Sequence, residues 1–230
     1  MAGRHRYERK PGNRSRRSII GILTEGSVTE VEYIKHVRQR LGIPKENVRI
    51  FESDHTDPKG LVAEAVKMKK ENEKESKHGE PIIEHWWVVV DTETQHGRSG
   101  LSDAVQQAKG NGIWLCQNSL SFEFWLLLHF EYTTRNFNSV KDLIGCLRRK
   151  CGMGSYNPGM KHPDMEALFP LIETAKRNAS KLRRNHTRKG CKTPCTDFDL
   201  LVQDIERIAK RNCQEGCKEP DFGDLSMNID

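Results

Sequence analysis

Four acidic residues stand where they could do chemistry. Glu25 follows the apolar run Ile19–Thr24 and precedes Gly26. Asp91 and Glu93 follow the run Trp86–Val90, and Glu123 opens the apolar stretch Phe122–Phe130. A carboxylate just past a buried parallel strand faces the crevice where open α/β sheets bind ligands. Two or three such carboxylates can hold Mg²⁺ or Mn²⁺, which take hard oxygen ligands. In extended geometry Asp91 and Glu93, two apart, would leave the chain on the same face and could reach one ion. Glu123 sits between Phe and Trp neighbours, where an uncompensated charge is expensive and a cation would offset it. Glu30 begins the helix after the Glu25 turn, and exposed first-turn amides are a sufficient reason for it.

The elements that must position these acids can be read from the pattern. Apolar runs without alternation at 18–24 and 86–90 suit strands covered on both faces, with shorter strands at 48–51 and 112–117. Helices are expected near 31–41, with Thr29 as cap and Gly42 as stop, and at 61–78, 101–109 and 122–130. Beyond about residue 135 the pattern gives helices only, at 139–149, 165–182 and 197–211. This divides the chain into a basic arm at 1–17, a three- or four-stranded α/β core at 18–134, and a helical, cysteine-containing part at 135–230.

Composition narrows the partners. The chain has 230 residues and a formal net charge of +6, concentrated in the first seventeen residues and again around Lys181, Arg183, Arg184, Arg188 and Lys189. Such clusters attract polyanions without sequence choice, which points to RNA or DNA phosphates; a solvated helix face is the plain alternative. No run approaches the about 18 apolar residues that span a bilayer, and no apolar segment follows the basic start as in a secretory signal. A cytoplasmic location without membrane contact is the expectation. Seven cysteines in that compartment argue against a disulfide framework. Cys191, Cys195, Cys213 and Cys217 could form a structural zinc site, with His162 or His186 as substitutes and Cys146 and Cys151 as rival partners. Buried, unmetallated thiols are the alternative.

Two segments resemble known families. The Ile22–Glu30 segment together with Val88–Glu93 looks like the Toprim domain of topoisomerases, bacterial primases and OLD-type nucleases. Asn118–Phe130, with the Glu25–Glu30 element and Pro194-Cys195-Thr196-Asp197, is similar to RloB-like proteins, over about residues 14–210. The resemblance implies a Toprim-like parallel sheet with helices on both faces and a helical C-terminal extension. It implies Mg²⁺ bound by Glu25, Asp91 and Glu93, a further acid at Glu123, and a setting in phage defence with partner proteins of such a system. The pair here is Asp-x-Glu where the Toprim pattern has Asp-x-Asp. No tyrosine is placed as a topoisomerase nucleophile, so hydrolysis or binding is expected rather than strand passage.

The activity expected is phosphodiester hydrolysis, with Glu25 able to act as base and Arg98 stabilising phosphate charge. His96 and His129 are weaker candidates; an imidazole ending an apolar helix often packs and caps carbonyls. The competing expectation is a non-catalytic nucleic-acid-binding or regulatory module with a retained acidic crevice. An enzyme acting on small phosphorylated molecules would have little use for the basic segments.

Overall fold

The computed structural model describes residues 18–25, 28–93, 99–150, 152–157, 163–189 and 194–213, with the backbone alone given for 186–189, 212 and 213. Among the described residues, strands and helices first alternate: β1 (Ile20–Thr24), α1 (Val28–Arg40), β2 (Val48–Glu52), α2 (Pro58–Ser76), β3 (His85–Asp91), α3 (Leu101–Gly110) and β4 (Trp114–Asn118). Helices follow: α4 (Glu123–Leu128), α5 (Val140–Leu147), α6 (Met165–Leu168), a 3-10 turn (Phe169–Leu171), α7 (Ile172–Lys189) and α8 (Phe198–Cys213). The α/β class expected from the sequence is therefore what the chain adopts.

All four strands are parallel, in the order β2-β1-β3-β4. Their apolar side chains point both ways, as uninterrupted runs require. Ile20, Ile22, Trp87, Val89 and Cys116 join one buried cluster with Tyr33, Trp125, Leu201 and Ile205. Leu23, Trp86, Val88 and Val90 join a second with Leu61, Ala65, Ala104 and Ala108. Thus α1 and α4 through α8 cover one face, and α2 and α3 cover the other. Helices beyond residue 135 line the same apolar cluster as β1 and β3, so no break in the core marks residue 134.

Local chemistry sets the helix starts. The Asp57 carboxylate accepts from the Gly60 N–H at 2.8 Å, and Pro58 occupies the first turn of α2, where its missing N–H costs nothing. Ser139 likewise accepts from Asp142 N–H at 3.2 Å to open α5. Gly21 has a packing reason: a Cβ there would lie 3.0 Å from the Trp86 ring, which itself stacks on Phe51 at 5.7 Å between centroids.

The strand order fixes where a site can form. The chain moves from β1 outward to β2 and then returns past β1 to β3, so the connections part company between β1 and β3. Beyond the carboxyl ends of those two strands lies the crevice where doubly wound sheets bind ligands. Glu25 comes just after β1, Asp91 is the last residue of β3, and α4 begins at Glu123 shortly after β4.

Candidate metal centre

Four carboxylates share this crevice: Glu25, Glu30, Asp91 and Glu123. Glu25 and Asp91 are half-buried, whereas Glu30 is 2% and Glu123 6% exposed. They act on one another. Burial raises Glu30 well above the usual carboxylate range, and the charges of Asp91, Glu123 and Glu25 raise it further, in that order. Asp91 is pushed up to about 8, first by burial and then by Glu123, with a smaller push from Glu25; its hydrogen bonds from the Asn118 side chain and the Phe122 backbone act in the other direction.

Neighbouring hydroxyl and amide groups hold the carboxylates. Asn118 ends β4 opposite Asp91, and its Nδ2 donates to Asp91 Oδ1 at 3.2 Å. The buried Tyr156 hydroxyl donates to Glu123 Oε1 at 2.7 Å, and Thr29 also hydrogen-bonds the phenol. Burial and the Glu123 charge keep Tyr156 protonated by raising it above its ordinary value. Tyr156 is fixed in turn, because Arg148 Nε donates to its carbonyl at 2.7 Å.

Glu30 is the acid that sequence reasoning undervalued. It lies on the same stripe of α1 as Tyr33, Ile34 and Val37, all buried. A carboxylate at a core position of an amphipathic helix is a stronger signal than a first-turn carboxylate, and the spacing 30, 33, 34, 37 carried that signal. Tyr156 had no such signal, since it comes from an irregular segment far along the chain.

Glu93 behaves differently from the expectation. The strand ends at Asp91, and Glu93 is exposed with a backbone φ of 55°, in the left-handed region. The alternation argument that put Asp91 and Glu93 on one face does not apply past the end of β3. The turn is held by Thr92 N–H to Asn118 O and Glu93 N–H to Leu120 O, both 2.9 Å, and by Leu120 N–H to Thr92 Oγ1 at 2.9 Å.

His129 has a core role. Its Nε2 lies 2.8 Å from Tyr33 Oη and its Nδ1 3.0 Å from Trp125 O. That pattern makes Nδ1–H the donor to the carbonyl and Nε2 the acceptor from the phenol. Burial lowers its pKa to about 4, so the ring is neutral. Arg98 and His96 lie outside the described residues.

The basic residues of α7 divide into two kinds. Lys181 and Arg184 are exposed, and Lys181 Nζ sits 4.2 Å from the Tyr132 ring centroid. Arg183, half-buried, is paired with acids of the fold: its Nη2 donates to Asp199 Oδ1 at 2.5 Å and its Nε lies 3.7 Å from Asp197 Oδ1. Asp199 is fully buried, and no local pattern marks it as the acid that pairs with an arginine sixteen residues earlier. Arg188 and Lys189 form the end of α7, where only the backbone is described, as for His186.

Of the zinc candidates, Cys191 and Cys217 lie outside the described residues, as do Cys151 and His162, and only the backbone of Cys213 is described. Cys195 lies against β4, with its Sγ 3.6 Å from Ser119 Oγ. Cys146 is buried, and its Sγ is 3.8 Å from Glu131 Oε1.

The crevice offers oxygen donors of the type that Mg²⁺ and Mn²⁺ take: carboxylates, a hydroxyl and an amide. Among the described residues, no three His, Cys, Asp or Glu side chains are drawn together tightly enough to form a closed coordination shell. The donor chemistry fits a hard cation.

Comparison with known proteins gives one match. Neither a search of curated proteins nor one of solved structures returned a similar chain. No helix among the described residues is long and apolar enough to cross a membrane. The family described as RloB-like protein matches residues 20–205, a span that runs from the first strand into the last helix and includes all four crevice carboxylates, and the chain belongs to that family.

Proposed function

We propose that this protein is a divalent-metal-dependent nuclease of Toprim-like architecture that hydrolyses phosphodiester bonds of RNA or DNA, in a cytoplasmic role in defence against phage. The observation that carries the proposal is the meeting of carboxylates from separate βα junctions at the switch point of a parallel sheet, close enough that Glu25, Asp91 and Glu123 each raise Glu30. Like charges gathered in a buried crevice disfavour one another's charged form, and a shared cation would relieve that repulsion. A divalent ion there would polarise the scissile phosphate and lower the pKa of a bound water.

Glu25 and Asp91, the half-buried pair, would hold the ion. Glu123 and Glu30 sit deeper and complete the negative field; Tyr156 holds Glu123 in place. Glu25 would also take the proton of the attacking water. Lys181 and Arg184, with Arg188 and Lys189 further along α7, supply contacts to the phosphate backbone. Partner proteins of a defence system and a structural zinc held by Cys191, Cys195, Cys213 and Cys217 belong to the same reading.

A second reading, a binding module without turnover, is favoured by the exposed, left-handed Glu93. One assay separates the two. The full chain is incubated with labelled RNA and DNA, structured RNA included, with Mg²⁺, Mn²⁺ or chelator. Metal-dependent cleavage that falls at least a hundredfold in Asp91→Asn is the expected result. Tight binding with intact nucleic acid under every condition would establish the binding module instead.

A further inference from the structure

The segment Cys195-Thr196-Asp197 crosses the carboxyl end of β4 as an antiparallel strap. Asn118 and Thr196 form an isolated bridge. Ser119 N–H donates to Cys195 O at 2.8 Å, Asp197 N–H donates to Gln117 O at 3.0 Å, and Cys195 N–H donates to Ser119 Oγ at 2.6 Å. The strap therefore has one fixed register against the end of the strand that carries Asn118.

Thr196 and Asn118 are buried, at 3% and 0% exposure. The Thr196 hydroxyl accepts from Phe198 N–H at 3.1 Å, at the start of α8. Its proton is thereby turned to the other neighbour, Asn118 Oδ1, at 2.7 Å. An amide whose oxygen is engaged in this way must present its NH₂ on the opposite side, where Asp91 Oδ1 lies at 3.2 Å. A flipped amide would turn its NH₂ toward Thr196 Oγ1, leaving the hydroxyl proton without this acceptor, and would set its oxygen against the Asp91 carboxylate, with which it has no attractive contact.

We infer that Thr196 is a positioning residue for the acidic centre: through Asn118 it orients the Asp91 carboxylate, so that the C-terminal strap sets the geometry of the β3 acid. The inference rests on the reading of Asp91 as a metal ligand, and it deepens that reading by adding a support outside the four acids. Second-layer hydrogen bonds of this kind typically govern metal affinity by about 10- to 100-fold.

Two measurements on the full chain test it, with Thr196→Val to remove the hydroxyl at constant shape and Thr196→Ser to restore it. In metal-free protein, hydrogen exchange of the Asn118 side-chain amide is followed by nuclear magnetic resonance. In the presence of metal, Mn²⁺ affinity is measured by calorimetry. Thr196→Val is expected to speed the amide exchange and weaken Mn²⁺ about tenfold, with Thr196→Ser close to wild type in both. Thermal unfolding of each variant accompanies these, and a Thr196→Val protein that is folded yet matches wild type in exchange and affinity overturns the inference. Wild-type protein that binds no Mn²⁺ would sink the metal reading itself and with it the proposed role of the strap in metal geometry; slow Asn118 exchange lost in Thr196→Val would then still mark the amide as held by Thr196.

Discussion

At the scale of single residues, Asp91 couples the chemistry of the crevice to stability. Its pKa in the fold is raised to about 8 by burial and by Glu123, above the ordinary carboxylate value. Between those values the folded chain binds more protons than the unfolded chain, so this group makes stability fall as pH rises through the window. Glu30 acts in the same direction. His129, lowered to about 4, acts oppositely at the acid end, because the folded ring stays neutral while the unfolded ring charges. Comparing variants isolates the contribution of Asp91. In chelator, Asp91→Asn should unfold at a temperature similar to wild type near pH 5 and several degrees higher near pH 8; thermal scans across that range check it, and a gap that narrows with pH would contradict the shift. Saturating Mg²⁺ should remove much of the wild-type loss at high pH, since a ligand that binds only the fold stabilises it.

At the scale of elements, the strands were plain in the sequence and the site only partly so. The runs around Ile20–Leu23 and Trp86–Val90 announced buried parallel strands because neither alternates. Glu25 and Asp91 followed directly, since a strand end and its next residue share a location. Glu93 did not: the alternation that would have aligned it with Asp91 stops when the ladder stops, and a turn conformation cannot be foreseen from a threonine and a glutamate. Tyr156 and Thr196 were beyond reach for a different reason. Their roles depend on tertiary docking of segments 33 and 78 residues from their partners Glu123 and Asn118, and no local period encodes that distance. Gly21 tests how closely β1 and β3 are fitted. Gly21→Ala would set a methyl 3.0 Å from the Trp86 ring and 3.1 Å from Ile83, and the β1–β3 register leaves little room to yield. A loss of about 1–3 kcal/mol in denaturant unfolding is expected.

At the scale of the whole molecule, the last helix is tied into the sheet by a polar knot at the edge opposite the acids. The buried Asp204 carboxylate accepts from Trp87 Nε1 at 2.7 Å, lies 2.8 Å from His85 Nδ1, and sits 3.3 Å from Arg207 Nη2. These partners belong to β3 and α8, so one carboxylate fastens the C-terminal helix to the central strand. Asp204→Ala would strand an indole N–H and leave Arg207 beside an emptied site. The expected cost is about 3–5 kcal/mol, as for removing one partner of a buried pair. Chemical denaturation should register it as a lower midpoint with an unchanged slope, because the surface exposed on unfolding is nearly the same. A drop under 1 kcal/mol, within the range of an ordinary surface change, would mean that α8 is held by its apolar face alone.

The order of synthesis gives the strap across β4 one more meaning. A growing polypeptide that has reached Leu147 already contains Glu25, Glu30, Asp91 and Glu123, yet it has neither the phenol that grips Glu123 nor the hydroxyl behind Asn118. The acids are made early and their braces late. A ribosome-bound fragment would therefore carry an unbraced crevice, and the centre would reach its final geometry only once Tyr156 and Thr196 have left the exit tunnel.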